Sequence, residues 1–404
     1  MHAESVPRRL LKTALRKAAH TSPNTAAAAV DADVSAAVNR ELELICAEFV
    51  EYSRSLDAIF ATDVAEQLAS FIRGSGSRIR PRFLWWAMRA CGGSEPHVPG
   101  ALRIAAALEL IQGCALIHDD VMDQSAVRRG RLSFHAQMEL RYPAATPPHA
   151  PGPSPFAHSA AVLAGDLALC WADDLVAGVD LDPPVRADIL RIWRAMRTEM
   201  VAGQYLDLHG QATSSRSAVQ AIRTVCLKTA RYTVERPLAL GAALAGADGA
   251  TTRALTAAGR CAGIAFQLRD DLLGVFGDPE VTGKPSGDDI RSGKATYLLA
   301  LTHSRARATG ATTVIDLLQD YRGSTDLSGP ALSSVREALQ STGAPAQVER
   351  RIERLVRASE RHLAAAHLHG PAAHHLAELL RQIASPPQQA ATTAAPADPD
   401  GAAR

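Results

Sequence analysis

Between residues 38 and 306, apolar residues return at helical spacing in one segment after another. The segments are "VNRELELICAEFVEYSRSLDAIF", "ALRIAAALELIQGCALIHDD", "HSAAVLAGDLALCWADDLV", "DILRIWRAMRTEMVAGQYLDL", "RALTAAGRCAGIAFQLRDDLLGVF" and "TYLLALTHSRA". Each presents an apolar stripe that must be buried against a neighbour, so the chain is constrained to a bundle of many helices. Ala and Leu dominate, aromatics are only 4%, and no succession of short Val/Ile/Thr-rich segments with hairpin turns appears. An all-α class follows.

With 404 residues, 47% of them hydrophobic, the chain can bury a sizeable core. Its 43 Lys and Arg against 42 Asp and Glu leave a net charge of +1, so no global field points to nucleic acid. Arg, Glu, Gln or Asp interrupts the longest apolar stretches before about 18 residues, which argues against stable membrane insertion. The six cysteines are scattered through apolar segments with no C-x-x-C pair and no secretory leader, and read as reduced core residues of a cytoplasmic protein. Residues 1–35 have the composition of a disordered leader, with the basic amphipathic piece "PRRLLKTALRKAAH" as its one membrane-like feature. Residues 385–404 form a second disordered tail, so the chemistry is expected within 36–384. The segment 141–158, "RYPAATPPHAPGPSPFAH", is too rich in proline to be helical and reads as a mobile loop. His362, His367, His369, His374 and His375 include helical spacings but lack acidic or Cys partners, so they read as a solvated helix surface rather than a metal site.

Charge is concentrated where two apolar helices end. In "LIHDDVMDQSAVRRG", Asp119 and Asp123 stand one above the other on one helical face, with Asp120 about 100° round. Like charges about 4 Å apart repel by roughly 1 to 4 kcal/mol at effective dielectrics of 80 to 20, a cost that a bound cation reverses. "FQLRDDLLGVFGD" repeats the arrangement with Asp270 and Asp271, and Asp278 lies just beyond. Hard carboxylates presented from two helices, with room for water and phosphate oxygens, suit Mg²⁺. Arg78, Arg80, Arg128, Arg129, Lys228, Lys284 and Lys294 lie in short polar segments beside these helices, as binding of a doubly phosphorylated substrate requires. No G-x-S-x-G, P-loop or strand-preceded G-x-G-x-x-G supports a rival chemistry.

From "SGSRIRPRFL" through "ELIQGCALIHDDVMDQSAVRRG", "SAAVLAGDLAL", "GQYLDL", "LKTARYT" and "FQLRDDLLGVFGD" to "GKPSGDDIRSGKATYLL", the motifs and their order resemble the trans-isoprenyl diphosphate synthases, the polyprenyl synthetase family. They are most like those of bacterial geranylgeranyl diphosphate synthases. The resemblance implies antiparallel helices around a deep apolar cavity, a homodimer, and Mg²⁺, three ions in the closed complex. It implies that Asp119 and Asp123 bind Mg²⁺ with Asp120 in support, that Asp270 binds it from the opposite wall, and that Asp271 acts through water. Arg128, Lys228, Lys284 and Lys294 would hold the allylic diphosphate, and Arg80, Gln112 and Arg129 isopentenyl diphosphate. Gln204, Asp207, Thr229 and Gln267 would line the reacting region. Ile111, Cys114 and Ala115 would form the wall that limits chain length. Ala115 lies one turn below Asp119 and Ile111 two turns below it, at roughly 12 Å, which implies a C20 product with C15 as the nearest competitor.

Three positions depart from the family pattern. Ser77 stands where the family has a lysine that contacts isopentenyl diphosphate, Gly274 replaces the third aspartate of the second motif, and Ala295 follows Gly293-Lys294 in place of a frequent cation. The Ser77 departure is what a terpene cyclase derived from this family would show, and it keeps that reading as an alternative. Retention of Arg80, Gln112 and Arg129 favours chain elongation. Intact aspartate clusters argue against a non-catalytic regulatory subunit.

Overall fold

Several helices start where an aspartate, serine or threonine can accept a hydrogen bond from a free backbone N–H of the first turn. Asp33 accepts from Ala36 N at 2.9 Å and Asp248 from Thr251 N at 2.7 Å; Ser217 and Thr296 do the same for two later helices. In the computed structural model, residues 27–74, 76–128, 130–143, 154–278, 286–321, 327 and 329–385 are described.

In chain order, α1 (Ala27–Ala32) and α2 (Val34–Leu56) lead through a short turn and a π-helical link, Ala61–Ala65, to α3 (Glu66–Arg73), α4 (Ile79–Ala90) and α5 (Val98–Met122). A two-residue hairpin, β1 (Val127–Arg128) against β2 (Arg131–Leu132), separates α5 from α6 (Phe134–Arg141). Then come α7 (Pro155–Ala177), α8 (Pro183–Ala212), α9 (Ala218–Val225) and a π-helical stretch, Cys226–Glu235. It continues into α10 (Arg236–Leu244) and α11 (Gly249–Phe276). The C-terminal part comprises α12 (Asp288–Arg291), α13 (Tyr297–Thr309), α14 (Thr312–Asp320), α15 (Gly329–Ser341), α16 (Ala344–Ala364) and α17 (Pro371–Ala384).

The expected helical bundle is what forms. Helix α5 is apolar on nearly every side and lies in the main core, packed chiefly on α7, with Ile104, Leu108, Leu110 and Ile111 fully buried. Residues Glu95–Met122 are long and apolar enough to cross a membrane, but this stretch is buried among other helices. A second core gathers around α11, α13 and α16. Helix α11 belongs to both cores, and its C-terminal end, like that of α5, carries an aspartate pair.

Three expectations need correction. The leader does not extend to residue 35: α1 is helical, with Ala27 and Val30 buried. Its Asp31 is held by Arg89 at 2.9 Å and by Trp85 Nε1 at 2.8 Å, so the folded unit includes Ala27. Residues 1–26 and 386–404 lie outside the described residues. The proline-rich segment is helical at both ends, because α6 runs to Arg141 and α7 starts at Pro155, whose missing N–H is harmless in a first turn; residues 144–153 lie outside the described residues. Cys170 is exposed rather than buried, and all six cysteines are free thiols. The five histidines are surface-exposed as expected, although His375 also stacks on Trp86, with ring centroids 4.5 Å apart.

Candidate active site

The last turn of α5 places Asp119 among three donors from other segments. Arg128 Nη2 donates to its Oδ2 at 3.0 Å, while Gln204 Nε2 of α8 and Lys228 Nζ reach Oδ1 at 3.1 and 3.3 Å. Burial pushes the Asp119 carboxyl upward, but Lys228, Arg128 and Lys294 together outweigh it and hold the group below the usual carboxylate range. Asp120 points the other way. It has no exposed surface and accepts from Arg128 Nε at 2.6 Å, yet burial still pushes it up to about 6. Asp123 is raised first by burial and then by repulsion from Asp119. Its counter-charge is Lys294 Nζ at 3.6 Å.

Lys228 owes its position to the π-helical stretch. A π-turn shifts the following residues round the helix axis, a device common at functional sites. Here the backbone of α8 comes so close that a Cβ on Gly203 would lie 2.4 Å from Lys228 N; only glycine permits that approach. Lys228 Nζ then bridges Asp119 and Asp207, the latter at 2.7 Å. One residue on, Thr229 donates to Gln267 Oε1 at 2.8 Å, and Gln267 Nε2 donates to Asp270 at 3.2 Å and Asp271 at 3.1 Å. Gln204, Asp207, Lys228, Thr229, Gln267, Asp270 and Asp271 are thus one connected polar wall. Asp271 is the deepest member, pushed up to about 8 by burial and by the neighbouring Asp289 and Asp270 carboxylates.

Asp289 was missed from sequence, although it lies inside a motif that was singled out. A Cβ on Gly274 would lie 2.9 Å from Asp289 Oδ2, and Gly287 N donates to Gly274 O at 2.7 Å. The carboxylate therefore occupies the space that a side chain at 274 would enter, so an acidic group remains at the end of α11. Lys294 Nζ lies 4.0 Å from Asp289 and 3.6 Å from Asp123, linking the two aspartate-bearing helix ends across the site.

Not every expected residue joins this arrangement. Arg80 is turned to Thr233 Oγ1 at 2.9 Å and stacks on the Tyr232 ring. Gln112 lines a separate small cleft with Arg128. Arg78 is not a substrate-facing cation at all: it is buried in an ion pair with Glu109. Arg129 and Lys284 lie outside the described residues. Cys114 faces α7 through His118, its Sγ 3.7 Å from Nδ1 and the ring's Nε2 3.1 Å from Val162 O. Ala115 is partly exposed and Ile111 fully buried.

The donor set fits a hard divalent cation, because the acidic groups are all carboxylates and two of their buried oxygens, Asp120 Oδ2 and Asp271 Oδ2, have no hydrogen-bond partner among the described residues. No three acidic, His or Cys groups converge on one point among the described residues. Lys228, Arg128 and Lys294 instead lie beside the carboxylates, so these cations must give way for a metal and an anionic substrate to enter together.

Comparison with known proteins agrees with this geometry. The polyprenyl synthetase family pattern matches residues 62–327. A (2E,6E)-farnesyl diphosphate synthase of Mycobacterium tuberculosis is 34% identical over 274 residues, covering 66% of this chain and 68% of the relative. A geranylgeranyl diphosphate synthase of the same species is 35% identical over 235 residues, covering 58% and 61%. Among solved structures, a geranylgeranyl pyrophosphate synthase from Corynebacterium glutamicum, complexed with isoprenyl diphosphate and magnesium, superposes with a TM-score of 0.77 at 36% identity. That match covers 86% of this chain and 98% of the other. With the family pattern spanning most of the chain and both aspartate motifs at facing helix ends, this chain belongs to the polyprenyl synthetase family and is an enzyme of the trans-prenyltransferase type.

Proposed function

We propose that the enzyme condenses isopentenyl diphosphate head to tail with an allylic diphosphate, that its product is the C20 geranylgeranyl diphosphate, and that it works as a Mg²⁺-dependent homodimer in the cytoplasm. The observation that carries this reading is the interleaving of Asp119 and Asp123, at the end of α5, with Lys228 and Lys294, together with the approach of Lys294 to Asp289 beside the end of α11, an arrangement suited to a metal-complexed diphosphate. Asp119, Asp123 and Asp270 would hold the Mg²⁺, with Asp120 and Asp271 behind them; when bound, the ion neutralises charge on the diphosphate. Lys228, Lys294 and Arg128 exchange their carboxylate partners for diphosphate oxygens, and Lys284 and Arg129 are assigned to the two diphosphates by their place in the motifs. As the allylic carbon–oxygen bond breaks, these cations stabilise the leaving group where its charge develops. The isopentenyl double bond attacks the allylic carbon, and the proton then lost passes to the released diphosphate. No side-chain base is needed.

Chain length is assigned to the α5 face below Asp119. Ala115 offers only a methyl group one turn down, which leaves Ile111 as the floor. Ile111→Ala should shift the product beyond C20, read by chromatography of the phosphatase-treated extract; an unchanged distribution would remove Ile111 from that role. The dimer is assigned to α7, where Phe156, Leu163 and Cys170 recur every seven residues as an exposed apolar stripe. Leu163→Glu should convert the dimer to a monomer in analytical ultracentrifugation, and a dimer that persisted would exclude this face.

Ser77, exposed in the turn before α4, favours one second reading, cyclisation of a prenyl diphosphate without isopentenyl diphosphate. Incubation with Mg²⁺ and farnesyl diphosphate, with and without isopentenyl diphosphate, separates the two. A C20 alcohol after phosphatase treatment, formed only with both substrates, supports condensation; a cyclic hydrocarbon formed from farnesyl diphosphate alone overturns it.

A further inference from the structure

Helix α8 meets the π-helical stretch along one of its faces. Glu199, Gly203 and Asp207 are four residues apart and lie in one row on that face. Gly203, in the middle, lets the two backbones approach at Lys228, and Asp207 at one end holds Lys228 Nζ at 2.7 Å. Glu199 closes the other end. Its Oε1 accepts from Arg231 Nη1 and from Arg236 Nη2, each at 2.5 Å, and its Oε2 from Arg236 Nε at 2.7 Å. Arg231 belongs to the π-helical stretch, and Arg236 opens α10 directly after it.

The one other carboxylate near these arginines among the described residues is Glu235, at 3.8 and 3.9 Å, and it is engaged by Arg260 of α11 at 2.7 and 2.8 Å. Glu199 is thus their main counter-charge. Burial pushes its carboxyl upward, but Arg236 and Arg231 outweigh it and hold the group below the usual carboxylate range. The stretch Cys226–Glu235 is ten residues long, whereas π-helix appears mostly as single turns. Contacts from outside must therefore hold its register. The Glu199 fork and the Asp207–Lys228 pair pin it to α8 on either side of Gly203.

We propose that Glu199 is a positioning residue: by holding Arg231 and Arg236 it fixes the register of the π-helical stretch and keeps Lys228 Nζ between Asp119 and Asp207, where the allylic diphosphate is received. This rests on the reading above that Lys228 binds that diphosphate. Glu199 acts only through Lys228, so its effect must vanish when the ammonium is gone.

The test is a double-variant cycle of Glu199→Gln and Lys228→Met, with farnesyl diphosphate and radiolabelled isopentenyl diphosphate varied so that slow variants stay measurable. Glu199→Gln alone should lower kcat/KM for farnesyl diphosphate at least tenfold, with KM for isopentenyl diphosphate changed less than twofold. In the Lys228→Met background the same substitution should change kcat/KM less than twofold, the coupling expected of a residue that acts through another. An equal fall in both backgrounds is the mark of a general loss of packing and overturns the assignment, as does an unchanged kcat/KM in Glu199→Gln alone. Should circular dichroism show that Glu199→Gln does not fold, Arg231→Met carries the same cycle, because it keeps the Glu199–Arg236 fork and removes only the contact made from within the π-helical stretch. Lys228→Met by itself separates the two levels of failure. A parental kcat/KM in that variant defeats the assignment of Lys228 to the allylic diphosphate, whereas a fall that is not coupled to Glu199 defeats only this inference.

Discussion

Asp119→Asn should lower kcat by about 10²–10³-fold or more, the range that follows loss of a single group aimed at charge developing in a transition state. The substitution is nearly isosteric, and its target is one fifth exposed, so the fold should survive. What it removes is the negative charge that Arg128, Lys228 and Lys294 share, the three cations that hold this carboxyl below the usual carboxylate range. Without it, the three cations keep Asp120, Asp123, Asp207 and Asp289 as counter-charges, and the proposed metal site would lose a charged oxygen ligand. The check is single-turnover product formation at saturating substrates and Mg²⁺, with circular dichroism to confirm the fold. A kcat within tenfold of the parent would place the chemistry elsewhere.

How much of this could be read before the structure differed from residue to residue. The clustering of Asp119 with Asp123 and of Asp270 with Asp271 at the ends of α5 and α11 was legible because like charges at the ends of apolar helices show on a helical wheel. Lys228 and Lys294 followed from the same motifs and do meet the carboxylates. Arg78 could not be separated from Arg80 by any local pattern. Its burial depends on Glu109, 31 residues away, and on a left-handed backbone, φ 47°, which no residue type other than glycine announces. The π-helical stretch was equally invisible, since apolar periodicity over ten residues does not resolve a shift of one position. Asp289 lay beside Asp288 in a segment rich in charge, and only the space above Gly274 shows what it does. Residues 27–35 share their alanine content with disordered tails; Val30, Val34 and the Asp31 contacts with Arg89 and Trp85 decide the matter through tertiary packing.

The largest stability effect is expected from that same Arg78. Its guanidinium is 5% exposed and its partner Glu109 is 7% exposed, at a separation of 2.5 Å. Nη1 also donates to Ile72 O, Nη2 to Ile72 O and Gly74 O, each at 3.2 Å, and Nε to Asn39 Oδ1 at 2.9 Å. One side chain therefore satisfies carbonyls at the end of α3 that have no helical partner and ties α2, α3 and α5 together beneath the turn bearing Ser77, just before Arg80 in the first turn of α4. Replacing one partner of a buried pair strands the other charge, a loss of about 3–5 kcal/mol, whereas replacing both with apolar groups of similar volume is far less costly. Glu109→Ala should accordingly be destabilised by about that amount in urea unfolding. The double variant Arg78→Met, Glu109→Leu should be more stable than the sum of the single losses requires, giving a large coupling energy. Backbone carbonyls left by Arg78 would keep the double variant below the parent, so recovery is partial. A loss under about 1 kcal/mol for Glu109→Ala, the range of an exposed ion pair, would mean that the pair is hydrated in solution and that the turn leading into α4 and Arg80 is positioned by something other than this contact.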